Sequence, residues 1–148
     1  MKSEAFFLDT NILVYSIDSQ SPFHSKARDL LEKAGELRLC VSPQVMGELY
    51  ATITNPRKVT NPLKPMEAAE LVEKLWKAEA IFKIFPKNTT FELALELARK
   101  YKLRALDFFD AQIVATMLDN GVSVIYTANE EDFAKFKEIS TINPLKTG

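Results

Sequence analysis

Short apolar runs alternate with longer stretches of helical periodicity along this chain. Ala5–Leu8 is a compact apolar run that stops at Asp9 and predicts a buried strand. Asn11 is placed to cap a short helix over Ile12–Ile17. Ser21 and Pro22 open a second helix, with Pro22 in its first turn. Ala27, Leu30, Leu31 and Ala34 give that helix an apolar face, and Gly35 ends it. Leu37–Val41 reads as a second strand, and Ser42 caps a helix from Pro43 to Thr54. The stretch Asn55–Pro65 holds three prolines and two asparagines, which makes it a loop. Met66–Ala80 is helical, with Ala69, Val72, Leu75 and Trp76 on one stripe, and Ile81–Phe85 is a third strand. Thr90–Tyr101 and Asp107–Asn120 are helices, the second ended by Gly121. Val122–Tyr126 is a fourth strand, Asp132–Phe136 a helical turn, and Ile139–Ile142 a last edge strand before Pro144.

Strands alternating with helices imply βαβ units with right-handed crossovers. The expected fold is therefore α/β, a three-layer α/β/α sandwich around a mostly parallel sheet. A length of 148 residues suits one domain spanning the whole chain, residues 1–148. In such sheets ligands sit at the carboxyl ends of the strands.

Four acids stand where that architecture could bring them together. Asp9 lies just past the first strand and Asp132 a few residues past the fourth, while Glu48 and Asp110 sit in early turns of helices. Each has an ordinary explanation taken singly. Asp9 could be a turn residue or a helix cap. Glu48 could be a solvated helix glutamate. Asp107 and Asp110 are three apart at a helix start; Asp107 fits the cap and Asp110 the third helical position, and both gain from the helix dipole. We favour Asp110 as the ligand, with Asp107 left as a further acid. Asn129 could make an Asx turn unaided. Taken together, four carboxylates in one cleft repel each other and raise each other's pKa values, and a divalent metal is the simplest remedy.

Net charge is −1, so nothing in the bulk composition draws the chain to nucleic acid or to anionic membrane. A nucleic-acid contact would need bound metal and a local basic rim. Arg57, Lys58, Lys102, Arg104, Lys135 and Lys137 are candidates for that rim, each equally at home on a solvated surface. The single cysteine, Cys40, rules out an intrachain disulfide and fits a reducing compartment. The N-terminus makes a poor signal peptide and no apolar run is long enough to span a bilayer, so the expected location is cytoplasmic.

Rival chemistries lack parts. His24 is the sole histidine, which excludes paired-histidine ribonuclease chemistry, and no HExxH or CxxC motif occurs. The four glycines form no phosphate-cradling loop, and no nucleophile elbow accompanies His24. A phosphatase or phosphoacceptor site would want a second aspartate two residues past Asp9, where Asn11 stands.

The segments FLDTNILVYSID, VMGELY, DFFDAQIVATML and YTANEEDF followed by INP run nearly the length of the chain. In that order they resemble a PIN-domain protein of the VapC toxin type. The resemblance implies a metal-dependent endoribonuclease in which Asp9, Glu48, Asp110 and Asp132 bind Mg²⁺ or Mn²⁺. Thr10, Asn11, Thr127 and Asn129 would be supporting polar residues. It further implies hydrolysis leaving 5′-phosphate and 3′-hydroxyl ends, a small antitoxin protein as partner, and a homodimer. For the antitoxin, the apolar helices Pro22–Ala34 and Pro43–Thr54 are the expected groove. Ala128 departs from the arginine that many relatives carry between the two polar positions 127 and 129. Two other readings of the same pattern are a housekeeping nuclease of RNA processing or decay, and a catalytically silent interaction module.

Overall fold

A computed structural model describes residues 4–146. Its elements are, in order, β1 (Ala5–Leu8), α1 (Thr10–Ile17), α2 (His24–Glu32), β2 (Arg38–Val41), α3 (Pro43–Ile53), α4 (Pro65–Lys77), β3 (Phe82–Lys83), α5 (Thr90–Tyr101), α6 (Asp107–Asp119), β4 (Val124–Tyr126), α7 (Glu130–Ala134) and β5 (Ser140–Ile142). The five strands form one sheet in the order β3-β2-β1-β4-β5. Every pairing in it is parallel. Phe7 aligns with Cys40 on one side and Ile125 on the other.

Right-handed crossovers then dictate the layers. The chain moves outward from β1 through β2 to β3, jumps back to β4 and continues to β5. Connections running in opposite directions lie on opposite faces. The packing agrees: α1 contacts α2 and α3, and α3 contacts α4, while α5 packs on α6 and α6 on α7. This is the expected three-layer sandwich. Its core draws Phe7, Leu8, Leu39, Val41 and Ile125 from the sheet, Ile12, Leu49 and Ile53 from one helical layer, and Ile113 and Met117 from the other. The strand order reverses beside β1, so a crevice opens between the carboxyl ends of β1 and β4.

Several element ends differ from the pattern's expectation. The cap of α1 is Asp9, whose carboxylate accepts from the Thr10 N–H, and Asn11 lies inside the helix. Pro22 precedes α2, which starts at His24. Ser42 holds the cap position of α3, yet its hydroxyl makes no capping bond. Leu106 occupies the cap position of α6, so Asp107 is its first helical residue and not its cap. Ala68, not Ala69, is buried on α4. Only two residues of the third strand pair in the ladder, although the Ile84 N–H still reaches the Val41 carbonyl at 2.9 Å. A two-residue edge strand offers little template for pairing with another chain.

Candidate active site

β1 delivers Asp9 to the crevice, and β4 delivers Thr127. The Asp9 N–H donates to the Tyr126 carbonyl at 3.0 Å, which extends the β1–β4 ladder to the pocket's edge. Asp9 is only 8% exposed. Its Oδ1 accepts from the Thr10 N–H at 2.8 Å, and its Oδ2 from the Thr127 hydroxyl at 2.7 Å and the Asn11 amide at 3.2 Å. Burial pushes the Asp9 carboxyl up. The Thr127 and Thr10 hydrogen bonds pull it down, while Glu48 and Asp132 push it up again, and the net direction is upward.

Asn11 staples α1 to the chain after β4. Its carbonyl oxygen accepts from the Ala128 N–H at 3.1 Å, and its amide nitrogen reaches the Thr127 hydroxyl at 3.3 Å. Asn129 donates its backbone N–H to that hydroxyl at 3.0 Å. Thr127, fully buried, is the node of this small network. The departure at Ala128 therefore costs no bond of the network, because the position contributes through its backbone.

Glu48 comes from the second turn of α3 and is held at both oxygens. Thr10 Oγ1 donates to one at 3.0 Å, and Gln44 Nε2 to the other at 3.1 Å. The same Gln44 nitrogen reaches the Phe109 carbonyl at 3.1 Å. Gln44 is a residue that reading for acids passed over. Its signal was positional: four residues before Glu48 on one helix, where side chains meet.

Asp110, half-buried, lies in the first turns of α6. Burial, with Asp132, Asp9 and Asp107 nearby, pushes its carboxyl up to about 7 against a smaller pull from Lys135. Asp132 is exposed on α7, the helical turn expected there, which starts two residues earlier at Glu130. Asp107 is also exposed; it acts on Asp110 through its charge but does not line the pocket. Asp9, Glu48, Asp110 and Asp132 all line one cleft of about 770 Å³, with Thr10, Asn11, Asn129 and Lys58. Acids far apart in sequence thus share one pocket, brought there by the strand order and by the phase of the helices that carry Glu48 and Asp110.

The charges in that pocket are not neutralised by the protein. The ion pairs among the described residues are Lys77–Glu73, Lys100–Glu138 and Lys146–Glu130, and none involves the four acids. All the acidic donors are hard carboxylate oxygens, and neither histidine nor cysteine lines the cleft. That set suits Mg²⁺ or Mn²⁺ and disfavours zinc. Among the described residues no three acidic, histidine or cysteine side chains already close on a single point. The shared cleft still suits Mg²⁺, which needs no closed cage: it keeps several waters and takes one or two carboxylates directly.

Three kinds of comparison bear on this geometry. The family model of the PIN domain matches residues 6–139. Ribonuclease VapC24 of Mycobacterium tuberculosis is 31% identical over 130 residues, covering 87% of this chain and 89% of that protein. Ribonuclease VapC48 of the same organism is 31% identical over 146 residues, covering 97% and 98%. Among solved structures, Mycobacterium tuberculosis VapC20, described as a sarcin-ricin loop cleaving toxin, superposes with a TM-score of 0.69 at 19% identity, covering 91% of this chain and 98% of that one. VapBC2 from Rickettsia felis, bound to a promoter DNA fragment, gives a TM-score of 0.66 at 17% identity, covering 94% and 98%. With the fold, the acid-lined cleft and the match over nearly its whole length in agreement, this chain belongs to the PIN-domain family, alongside VapC ribonucleases.

Proposed function

We propose that this chain is a metal-dependent endoribonuclease and the toxin of a toxin–antitoxin pair. The observation that carries the reading is a buried aspartate at the sheet's switch point, sharing a cleft with three further acids and with no compensating ion pair among the described residues. The names of its relatives, ribonucleases of the VapC type, favour RNA as the substrate.

Asp9, Glu48, Asp110 and Asp132 would hold Mg²⁺ or Mn²⁺. When bound, such an ion acidifies a water and stabilises charge on the leaving oxygen of a phosphodiester. The remaining work falls to the protein. Thr10, Asn11 and Thr127 fix the orientation of Asp9 and Glu48 before substrate arrives, so little reorganisation is needed during reaction. Lys58, on the loop after α3, is the basic residue lining the cleft and is placed to meet a phosphate. Lys135 acts on Asp110 from α7's end and is the second candidate.

The partner reading shifts in place. The core-facing residues of α3 (Val45, Met46, Leu49 and Ile53) are buried within the fold, so they cannot receive a second protein. An apolar groove of about 790 Å³ keeps α2 of the expected pair but sets it with α1 against α4, with Ile17, Leu31, Leu71, Leu75 and Ile81 along it. An amphipathic antitoxin helix would suit such a groove. The homodimer belongs to the same reading, and the exposed Phe91, Leu106 and Phe109 are the apolar residues available beside the α5–α6 pair.

The test is incubation of the protein with total RNA and Mn²⁺, alongside Asp9→Asn, with mapping of the cut ends. Cleavage giving 5′-phosphate and 3′-hydroxyl ends, absent in Asp9→Asn, is the expected result. Cyclic 2′,3′-phosphate ends, or equal cleavage by both proteins, would overturn it. Growth arrest on expression, relieved by a protein encoded beside it, distinguishes the toxin from a housekeeping nuclease.

A further inference from the structure

Glu48 and Asp110 come from different helices on opposite sides of the sheet, yet they must stand at a fixed separation to serve one ion. The sheet alone does not set that separation, because both acids lie beyond its carboxyl edge. One side chain spans the gap. Gln44, the second residue of α3, donates to Glu48 Oε1 and to the Phe109 carbonyl, both at 3.1 Å. Phe109 directly precedes Asp110. On the far side, Thr10, the residue that follows Asp9, donates its hydroxyl to the other Glu48 oxygen at 3.0 Å. A continuous chain of bonds therefore runs from Asp9 through Thr10, Glu48 and Gln44 to the backbone beside Asp110.

The residue type matters. Both targets of Gln44 are acceptors, one of them anionic, so the position needs a neutral donor with two N–H groups. Glutamate there would set acceptor against acceptor. Lysine could donate to both but would add a cation beside a metal ligand. The same logic fixes the amide's orientation, since only the nitrogen can face two acceptors.

We propose that Gln44 is a positioning residue of the acidic cluster: by bracing Glu48 against the first turn of α6 it sets the affinity for the dication. The proposal rests on the metal-dependent reading above. Its action is on the ligand's placement, not on the reacting phosphate.

The experiment measures Mn²⁺ binding to the purified full-length protein by electron paramagnetic resonance, without RNA, for wild type, Gln44→Leu and Gln44→Met. Both variants keep the side chain's bulk and remove its donors. The expected result is a dissociation constant raised about ten-fold or more in each, the scale typical of losing a hydrogen-bond partner of a metal ligand. RNA cleavage should split the same way: the Mn²⁺ concentration for half-maximal rate rises, while the rate at saturating Mn²⁺ stays within about two-fold to three-fold of wild type. A merely structural role would lower the rate at every Mn²⁺ concentration, and that result overturns the proposal. Unchanged Mn²⁺ affinity in both variants, with wild type binding normally, also overturns it. Wild type that binds no Mn²⁺ sinks the metal-dependent reading itself, and Gln44's role with it.

Discussion

Two acidic sites in this molecule are handled in opposite ways. Glu138, after α7, accepts from Lys100 Nζ at 2.7 Å and from the Tyr101 hydroxyl at 2.7 Å. Burial pulls its carboxyl up, but those two bonds together with a backbone hydrogen bond and the Lys100 charge outweigh it, and the net direction is down. Asp9 meets burial, Glu48 and Asp132, Asp110 meets burial, Asp132 and Asp9, and both are pushed up. The residue chemistry is nearly the same in the two places. One site is closed by the protein's own cation and hydroxyl, and the acids of the other enter no ion pair among the described residues. A carboxylate paired internally stabilises the fold, whereas a cluster left unpaired costs stability and earns its place only through a ligand.

The sharpest way to break this contrast is to remove charge from the open site. Asp9→Asn should lower RNA cleavage by at least ~10³-fold, since on the proposed mechanism a charged metal ligand supplying several kcal/mol of transition-state stabilisation becomes neutral. Asp110→Asn should do the same. The two should part in stability. Asp9 Oδ2 receives two donors, Thr127 and Asn11, and an amide nitrogen in its place would face them both. Asp9→Asn therefore exchanges a charge cost for a hydrogen-bond cost and should melt close to wild type. Among the described residues Asp110 carries no such bonds, so Asp110→Asn should melt higher than wild type in metal-free buffer at pH 8. Metal-free melting curves of the two variants check this, and a lower melting point for Asp110→Asn would contradict repulsion at the site.

Adding the missing charge should have the next largest effect. A ligand that binds only the folded state at 100 times its dissociation constant stabilises by about 2.7 kcal/mol. For a chain of this size that raises the melting temperature by roughly 5–10 °C. Mn²⁺ should produce such a rise in wild type and little in Asp9→Asn. Equal rises in both would place the ion elsewhere.

The pH dependence separates the two sites without mutation. Asp110 has a folded pKa of about 7 above its ordinary 3.8. Its folded form prefers to hold the proton, so its contribution is complete below about pH 3.8 and is lost as pH rises through 7. Metal-free protein should thus lose stability between about pH 4 and 7.5, and Asp110→Asn should flatten that slope. Saturating Mn²⁺ should reverse it, because an ion held by Asp110, as proposed, would bind the deprotonated form. Thermal melts across that range, with and without Mn²⁺, decide the matter.

How the two sites were visible in the sequence differs too. The open site was legible because β1 and β4 are apolar runs ended by polar residues, and parallel strands deliver their ends to one edge. Asp9 and Thr127 needed only that. Glu48 and Asp110 needed the helices' phase, which apolar neighbours such as Val45 and Leu49 supplied. What escaped was detail that tertiary contacts settle. Asp9 outcompeted Asn11 for the cap because its carboxylate reaches the Thr10 N–H at 2.8 Å, while Asn11 is engaged with Ala128. Asp107 lost the cap of α6 when an extra turn bonded the Asp107 N–H to the Arg104 carbonyl at 3.1 Å. Gln44 carries no charge, so a search for acids had no reason to stop there. The closed site was invisible, since Glu138 and Lys100 are far apart in sequence and ordinary in type.

The smallest expected effect tests the closed site on its own. Glu138 is depressed, so its contribution is present at neutral pH and lost as pH falls below about 4.5, its ordinary value. This window lies at the acid end, where the Asp110 contribution is at its most favourable. Glu138→Gln keeps an oxygen to accept from Tyr101 but gives up the charge that holds Lys100, whose side chain is 57% exposed. An ion pair that open to water is weak. The melting temperature at pH 7 should therefore fall by no more than about 3 °C. The difference from wild type should shrink as pH drops toward 3, and 1 M salt at pH 7 should shrink it likewise. Mn²⁺ binding and RNA cleavage should not move. A change in either would mean that the two sites are coupled, through α7 and the Asp132 it carries, and that the closed pair also holds the open cluster in place.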